Sequence, residues 1–370
     1  MTQVSPPLVL LAAGGTGGHL FPAEALAGVL SARGIEVDLV TDSRAARYAG
    51  HFPARRLHVL PAETVRGRSP VALARTALTL GLGFVKGFRL MRALKPAVVV
   101  GFGGYPTVPP ILAAHYAGFP TLIHEANAVM GRANKLLAPR VTAIASGYPD
   151  ICASIPALAA KAQHTGNPVR PAVIAAADIP FAPLAADGPI NLLVTGGSQG
   201  ARVMSEVVPA GVERIDPSLR PRLRLVQQAR PEDLEAVRAT YARLGVAAEV
   251  APFFADLPAR IAGAHLVISR SGAMTVAELA VIGRPSILVP LPGALDQDQL
   301  ANATALATGG GAVVMPQSHF TPASFAALIT RLAGETGRLE TMASMARAMG
   351  RADAAERLAA LVVATGRIHV

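Results

Sequence analysis

Short apolar runs alternate with longer stretches of helical periodicity along the chain, and two of these units repeat each other. Residues 8–18 read LVLLAAGGTGG, and residues 190–200 read INLLVTGGSQG. Each copy is a strand-like run, a glycine-rich turn and an Ala-rich segment with helical spacing. This order is typical of a buried parallel strand leading into a helix whose N-terminus can hold phosphate. Two such units predict a protein that brings two phosphate-bearing molecules together.

The other apolar runs extend this pattern through both halves of the chain. Helical stretches alternate with strand-like runs at 8–13, 36–40, 97–100, 120–124 and 141–146, and again at 190–195, 223–227, 248–251, 265–269 and 286–290. The alternation predicts an α/β fold with a doubly wound parallel sheet in each half. A Pro- and Ala-rich stretch over residues 168–189 separates the halves.

The length of the chain also predicts two domains. Its 370 residues exceed the roughly 250–300 at which a single core stops growing. The last helix carries Leu358, Leu361 and Val362 on one face, and we expect this face to pack on the first domain. The predicted domains are therefore residues 1–168 with the C-terminal helix 352–370, and residues 169–351.

Composition narrows the class of protein. With 51% hydrophobic and 16% charged residues, a densely buried fold is favoured over a disordered chain. The single cysteine, Cys152, excludes an internal disulfide and fits a reducing compartment. The sequence shows no apolar stretch of the roughly 18 residues that a membrane span needs, and no signal-peptide pattern at its start. We therefore expect a protein of the cytoplasm.

The net charge of +10 is concentrated in the first half of the chain. Residues 1–170 hold 17 Lys and Arg against 7 Asp and Glu, whereas residues 171–370 hold 17 of each. Apolar residues interleave with the cations, which suits a surface that lies on an anionic bilayer. The candidate membrane residues are Leu73, Leu80, Phe84, Lys86 and Arg89. The alternative is a core helix with a solvated basic face. Nucleic acid is disfavoured because aromatic residues are few and no reading motif is present.

The glycine turns leave two kinds of chemistry open. Neither GGTGG nor GGSQG matches G-x-G-x-x-G, so hydride transfer with a nicotinamide is disfavoured. The second turn does match G-x-S-x-G, which would make Ser198 the nucleophile of a hydrolase, with Asp256 or Asp296 and His319 completing a triad. Phosphate binding explains both turns at once, because Thr16 takes the place of the serine in the first.

Two further groups are candidates for proton transfer. His19 follows the first turn directly, where a helix N-terminus disfavours the cation and leaves a neutral imidazole able to accept a proton. Glu125 and Asn127 lie at the predicted carboxyl end of a strand, where open α/β sheets carry their sites. The structural alternatives are a histidine bonded to a backbone carbonyl and a strand end followed by an Asn turn.

Polar residues in the second half of the chain each allow two interpretations of their role. Glu278 lies three residues after Thr275, which is the spacing of a capping box, but a carboxylate could equally bind ribose hydroxyls. Asp296 and Asp298 could hold Mg²⁺ with a diphosphate. Because the same loop is rich in amides, hydrogen bonding to a neutral hydroxylated ligand is favoured. We predict no metal site and no cofactor, although divalent ions could stimulate turnover indirectly.

Seven ordered motifs together resemble the MurG family of N-acetylglucosamine (GlcNAc) transferases. They are GGTGGH (14–19), GFGGY (101–105), HEAN (124–127), GNPVR (166–170), GGSQGA (196–201), SRSGAMTVAEL (269–279) and the DQxxNA stretch that ends at residue 303. The resemblance runs nearly end to end. It implies a GT-B architecture, with two Rossmann-like domains facing a cleft. It also implies inverting transfer of GlcNAc from UDP-GlcNAc to the MurNAc C4 hydroxyl of an undecaprenyl-diphosphate-linked pentapeptide, at the cytoplasmic face of the membrane.

The resemblance also implies roles for individual residues. His19 or Glu125 would be the base. The expected donor-binding residues are Thr16, Gly17, Gly18, Asn127, Arg170, Ser198, Gln199, Gly200, Phe254, Glu278, Gln299 and Asn302. Of these, Ser198 and Gln199 would bind the diphosphate, Phe254 would lie near the uracil and Glu278 would bind the ribose. The lipid acceptor, with its diphosphate, would be bound by Gly15, Gly18, Gly103, Gly104 and Tyr105.

The sequence departs from the family pattern at two places. Ala126 stands where the family usually has Gln, and Gln228-Ala229-Arg230 replaces a turn that usually contains glycine. The implied partners are UDP-GlcNAc, the lipid-linked acceptor, an anionic membrane and proteins of cell-wall synthesis, and no nucleic acid is implied. A membrane-bound scaffold that senses a nucleotide sugar without catalysis is the non-enzymatic alternative.

Overall fold

The chain forms two compact units, each built on one parallel sheet. The structure, a computed structural model, describes residues 6–14, 17–43, 52–62, 70–197, 200–294 and 297–369, with the backbone alone at residues 70–73. One unit comprises Met1–Arg170 and Ala352–Val370, and the other comprises Pro171–Arg351.

Seven strands form the sheet of the first unit. They are β1 (Leu8–Ala12), β2 (Glu36–Thr41), β3 (Arg56–Val59), β4 (Val98–Gly101), β5 (Thr121–Glu125), β6 (Ala143–Ser146) and β7 (Ala162–His164). The order across the sheet is β3-β2-β1-β4-β5-β6-β7, with every neighbouring pair parallel. The helices are α1 (Gly17–Ala32), α2 (Pro70–Leu94), α3 (Val108–Tyr116), α4 (Arg132–Leu137), α5 (Pro156–Ala159) and, from the end of the chain, α14 (Ala354–Gly366).

Six strands form the sheet of the second unit. They are β8 (Ile190–Thr195), β9 (Leu223–Gln228), β10 (Ala247–Ala251), β11 (Leu266–Ser269), β12 (Ser286–Leu288) and β13 (Ala312–Val314), in the parallel order β10-β9-β8-β11-β12-β13. The helices are α6 (Pro171–Ala177), α7 (Arg202–Val212), α8 (Leu234–Arg243), α9 (Leu257–Gly263), α10 (Ala273–Ile282), α11 (Asp298–Thr308), α12 (Pro322–Gly334) and α13 (Arg338–Met349).

Helices cover both faces of the first sheet, which explains why its central strands are apolar without alternation. Alternate residues of β1 pack into different core layers, with Val9 and Leu11 on one side and Leu10 on the other. The first layer also contains Leu358 and Val362 of α14, both fully buried. The last helix therefore completes the core of the first unit, against α1.

The strand order places the two repeated units at equivalent points. In the first sheet the order reverses between β1 and β4, whose last paired residues are Ala12 and Gly101. In the second it reverses between β8 and β11, where Thr195 pairs with Ser269. The glycine-rich turns follow β1 and β8 directly, so each lies at the carboxyl edge of its sheet where the strand order reverses.

The predicted α/β class and all ten predicted strands are confirmed. Three strands were missed: β3, β7 and β13, all short strands at sheet edges. Residues 168–189 were predicted to separate the two halves. Part of this stretch instead forms α6, which packs on α9 and α10.

Candidate functional site

The first sheet presents His19 at the point where the strand order reverses. His19 lies in the first turn of α1, and its ring lies over the turn after β4. Gly103 and Gly104 form that turn with φ values of 87° and 74°. A Cβ on Gly104 would lie 3.2 Å from His19 Nε2. Glycine at these positions therefore permits both the left-handed backbone and the close approach of the imidazole.

The environment of His19 favours the neutral imidazole. Burial lowers the pKa of His19, while the charge of Glu125 and the backbone of Phe102 act in the opposite direction. The direction agrees with the prediction, but burial is the main cause and not the helix dipole. Its Nδ1 is buried and has no hydrogen-bond partner among the residues that the structure describes. The imidazole of His19 is thus buried beside the backbone of Phe102, and its Nδ1 makes no hydrogen bond of good geometry among the described residues.

Glu125 is occupied by its own loop. The Glu125 side chain is buried at the end of β5 and accepts four hydrogen bonds. Its Oε1 accepts from Asn127 N at 2.9 Å and from Asn127 Nδ2 at 3.1 Å. Its Oε2 accepts from Gly131 N at 2.9 Å and from Asn134 Nδ2 at 2.8 Å. Since a carboxylate offers about four lone-pair positions, this group holds the loop between β5 and α4 in place.

His124, the neighbour of Glu125, is a structural histidine. Its Nε2 donates to the carbonyl of Gly166 at 3.1 Å, and burial lowers its pKa to about 4. Its ring packs beside Phe102, with the ring centroids 5.7 Å apart. It therefore stays neutral at physiological pH and ties β5 to the residues before α6.

The other predicted residues of the first unit lie on α1, in the turn after β4 and before α6. Gly17 and Gly18 are its first two residues, whereas Gly15 and Thr16 lie outside the described residues. Tyr105 begins a short 3-10 turn after Gly104 and is half-buried. Arg170 lies over the ring of Phe21 on α1, at 4.5 Å from the ring centroid. Arg170 and Asn127, both expected to bind the donor, thus belong to the first unit.

In the second unit, residues 196–200 follow β8 in the chain and are here named the β8 turn, of which Gly196, Gly197 and Gly200 are described. Gln228 Oε1 accepts from Thr195 Oγ1 at 2.9 Å and from Gly196 N at 3.0 Å. A Cβ on Gly196 would lie 2.1 Å from Ala201 N, so this position accepts glycine alone. Ser198 and Gln199 lie outside the described residues. Gly200, with φ 67°, closes the turn before α7.

The hydrolase alternative fails on topology. Asp256 follows β10 and His319 follows β13, which are the two opposite edges of the sheet. Five strand spacings of about 4.8 Å separate those edges, far beyond hydrogen-bond reach. Asp256 is also paired with Arg260 at 2.7 Å, and Asp296 lies outside the described residues. The triad of Asp256 and His319 around Ser198 is therefore wrong.

Glu278 is not part of a capping box. The N-cap of α10 is Gly272, without a side-chain cap, so Thr275 already lies inside the helix. Glu278 lies in the second turn of α10, is 5% exposed and follows the loop after β11. Glu278 is therefore a buried carboxylate near the reversal of strand order that does not cap α10.

The predicted amides hold two loops of the second sheet together. Asn302 Nδ2 donates to Ser271 O at 3.2 Å, and Ser271 Oγ donates to Gln299 O at 2.8 Å. Gln299 Oε1 accepts from Leu291 N at 3.0 Å. These bonds therefore join the loop after β11 and the loop after β12 to the first turns of α11. Within the described ranges no three His, Cys, Asp or Glu side chains are grouped so that they could hold a metal ion.

The aromatic pair after β10 is divided between core and surface. Phe254 is 8% exposed, and the guanidinium of Arg260 lies 4.3 Å from its ring centroid. Phe253 is 70% exposed. The predicted residue, Phe254, is therefore mostly buried, while its neighbour Phe253 is exposed.

The five candidate membrane residues of the first unit all belong to α2. Leu78, Leu82 and Val85 are exposed on one helical face, at spacings of four and three residues. The predicted Phe84 instead packs against Phe88 and edge-on against Tyr116. Leu80 is half-buried, while Lys86 and Arg89 are exposed, and the side chain of Leu73 lies outside the described residues. The exposed apolar stripe is thus adjacent to the predicted one. No helix among the described residues is long and apolar enough to cross a membrane.

Known proteins match this chain along nearly its full length. Residues 9–146 match the glycosyltransferase family 28 N-terminal domain, and residues 191–358 match the family 28 C-terminal domain. A Rhodopseudomonas palustris (strain HaA2) relative is 62% identical over 362 residues, which cover 98% of this chain and 99% of the relative. A Nitrobacter hamburgensis relative is 59% identical over 99% of both chains. Both are named UDP-N-acetylglucosamine--N-acetylmuramyl-(pentapeptide) pyrophosphoryl-undecaprenol N-acetylglucosamine transferase.

Solved structures agree with the two-sheet architecture. MurG of Acinetobacter baumannii matches with a TM-score of 0.79 and 31% identity, over 96% of this chain and 99% of that one. The UDP-GlcNAc 2-epimerase of Neisseria meningitidis, bound to UDP-GlcNAc, shares the fold at 15% identity, with a TM-score of 0.68 over 96% of this chain and all of the other. With both family domains matched in order and close relatives aligned along nearly its full length, the chain belongs to glycosyltransferase family 28.

Proposed function

We propose that this chain transfers GlcNAc from UDP-GlcNAc to the C4 hydroxyl of MurNAc in undecaprenyl-diphosphate-MurNAc-pentapeptide, with inversion at the anomeric carbon. The observation that carries the proposal is the 62% identity, over 98% of the chain, to a relative named for this transfer. The geometry is consistent with it, because each sheet has a glycine-rich turn at the reversal of its strand order, where open α/β sheets bind ligands.

His19 is the proposed base. As the acceptor C4 oxygen attacks C1 of GlcNAc, its proton passes to the imidazole of His19, and the bond from C1 to the diphosphate oxygen breaks with its electrons leaving on UDP. A neutral imidazole suits this role, and burial keeps His19 in that form. The nearby charge of Glu125 favours the imidazolium that results. Glu125 itself acts through its loop, since its four acceptor positions are taken.

The donor is proposed to bind the second unit. Its diphosphate would lie at the β8 turn, where backbone N–H groups can approach it closely. Glu278 would accept from the ribose hydroxyls, because it is a buried carboxylate without a capping role. Gln299 and Asn302 would bind the sugar from the first turns of α11. Arg170 of the first unit would balance charge on the departing UDP.

The acceptor is proposed to bind the first unit while its lipid stays in the bilayer. Gly103, Gly104 and Tyr105 border His19, so the acceptor sugar would lie over this turn. We place the enzyme at the cytoplasmic face of the membrane as a peripheral protein. The face of α2 with Leu78, Leu82 and Val85 would insert shallowly, with Lys86 and Arg89 binding anionic headgroups.

A transfer assay tests the reaction and the base together. Radiolabelled GlcNAc transfer to a short-chain lipid acceptor is measured for the parent, His19→Ala and the control His115→Ala, whose side chain is exposed on α3. We expect His19→Ala to lower kcat by about 100-fold or more, with UDP affinity and far-UV circular dichroism unchanged. A parent that binds UDP but transfers no GlcNAc would favour the alternative of a membrane-bound scaffold that senses a nucleotide sugar. An active His19→Ala variant would mean that another residue is the base.

Liposome binding tests the membrane face. Leu78→Glu with Leu82→Glu adds two anions to the exposed stripe, so we expect pelleting with anionic vesicles to fall several-fold. The control is Ile155→Glu with Met345→Glu, which changes two similarly exposed apolar residues, at 50% and 46%, away from α2. Equal pelleting of the two double variants would contradict this role for α2.

A further inference from the structure

Arg230 reaches the β8 turn from the end of the neighbouring strand, and the proposed reaction does not yet use it. Arg230 lies just after β9, in the turn where the sequence departs from its family. Its Nη2 donates to Gly200 O at 3.3 Å. Its Cγ lies 3.1 Å from the point that a Cβ on Gly200 would occupy. The absence of a side chain at Gly200 thus makes room for this arginine.

The guanidinium of Arg230 has one N–H donor without an acceptor, and its positive charge is only weakly paired. Its Nε is buried, lies 3.9 Å from the same point beside Gly200, and has no hydrogen-bond partner in the described part of the chain. Its nearest carboxylate partner is Glu232, at 4.0 Å from Nη1, and that side chain is 64% exposed. Pairing at this distance and exposure is weak. A buried unpartnered N–H is unfavourable, so the position suits a ligand oxygen as acceptor.

We propose that Arg230 binds the diphosphate of the nucleotide-sugar donor at the β8 turn. This proposal rests on the proposed function for the presence of a nucleotide diphosphate in the second unit. Nε would donate to a phosphate oxygen while Nη2 keeps its bond to Gly200 O. The guanidinium of Arg230 is charged and planar, so it binds phosphate oxygens better than a glycine in the same turn would. Arg230 is therefore a donor-binding residue of this chain that its family motif does not include.

Titration calorimetry of the full chain with UDP, UMP and uridine tests the assignment. Arg230→Gln keeps an N–H for Gly200 O but removes the charge, and Arg230→Lys keeps the charge. Arg224→Gln is the matched control, because Arg224 lies at the other end of the same strand and bonds to Pro221 O and Leu223 O. We expect Arg230→Gln to weaken UDP about tenfold or more and uridine less than twofold. Arg230→Lys should retain more UDP affinity than Arg230→Gln, and Arg224→Gln should resemble the parent.

Three results would overturn the assignment. Equal losses for UDP and uridine would mean that Arg230 supports the turn or the base and not the phosphates. Equal UDP affinities of the Lys and Gln variants would mean that the charge has no part. Unchanged UDP affinity in both would remove Arg230 from the site. Because the readout is binding, it stays valid if the parent fails to transfer GlcNAc, and a parent active in transfer keeps its proposed function if Arg230 fails.

Discussion

At the scale of single residues, the contact between His19 and Gly104 joins backbone conformation to chemistry. Gly104 has a left-handed φ of 74°, and its missing side chain leaves room for the imidazole. The GG pair was visible in the sequence, as was His19. Their contact was not visible, because Gly103 follows His19 by 84 positions and only the parallel pairing of β1 with β4 brings the two together.

Gly104→Ala separates these two effects when it is compared with Gly118→Ala. Both glycines have positive φ values, 74° and 83°, so each substitution should lower the unfolding free energy, and Gly104→Ala by about 1–3 kcal/mol because its ψ of 159° places it in a region that essentially only glycine adopts. A Cβ on Gly104 meets His19, whereas a Cβ on Gly118 meets nothing within 4 Å. We therefore expect GlcNAc transfer to fall in Gly104→Ala alone. Similar kcat values in both variants would show that the contact does not matter for turnover.

His124 makes the stability of the chain sensitive to acid. Burial lowers its folded-state pKa to about 4 from the usual histidine value of 6.5. The unfolded chain then binds more protons between these two values, so stability is lost as the pH falls below about 6.5. The contribution of this group is about 3 kcal/mol by pH 4. Burial lowers the pKa values of His19 and His265 as well, so they act in the same direction.

Urea unfolding from pH 7.5 to 4.5 measures this dependence. We expect His124→Gln to be less stable than the parent at pH 7.5, because the bond to Gly166 is weakened, but to lose less stability on acidification. Parallel curves for the two proteins would mean that His124 does not titrate as proposed.

At the scale of elements, α2 depends on glycine for its packing. Its inner face crosses the end of β3 closely, so that a Cβ on Gly83 would lie 2.2 Å from Pro61 O. The sequence predicted a membrane-binding surface here, with a core helix as the alternative, and the residues form the helix α2. It could not say which apolar residues face out, because glycines at 83 and 87 set the rotation of the helix through contacts with Pro61 and α3.

Gly83→Ala and Gly81→Ala form a matched pair within α2. Gly83→Ala forces the helix away from Pro61, and we expect a loss of about 1–3 kcal/mol in unfolding free energy. Gly81→Ala meets nothing within 4 Å and gains helix propensity, so it should raise stability by up to about 1 kcal/mol. Denaturant titrations measure both. A Gly83→Ala protein as stable as Gly81→Ala would show that the helix accommodates the Cβ freely.

At the scale of the whole molecule, the chain returns to its first unit after completing the second. Leu358 and Val362 of α14 are fully buried in the core around β1 and β4, and Arg33 of α1 pairs with Glu356 of α14. The first unit is therefore complete only when the last residues are present.

Leu358→Ala tests this dependence. Leu358 is fully buried, so the cavity should cost about 2–5 kcal/mol of unfolding free energy. Leu361→Ala on the same helix is the control, because Leu361 is only partly buried and should cost less than half as much. Equal losses, measured by urea unfolding, would mean that α14 does not contribute its buried face to the core.

The sequence by itself determined the period of each central strand and helix, the two repeated glycine turns and the family. These are local features, set by side-chain periodicity and by the backbone freedom of glycine. The tertiary structure decided which candidates remain available for chemistry. Glu125 is occupied by Asn127, Gly131 and Asn134, while His19 keeps a ring nitrogen unpartnered among the described residues. The bonds of Glu125 stay within nine residues of chain and depend on how the loop after β5 folds. The contact of His19 with Gly104 joins elements distant in sequence, and strand order brings them together.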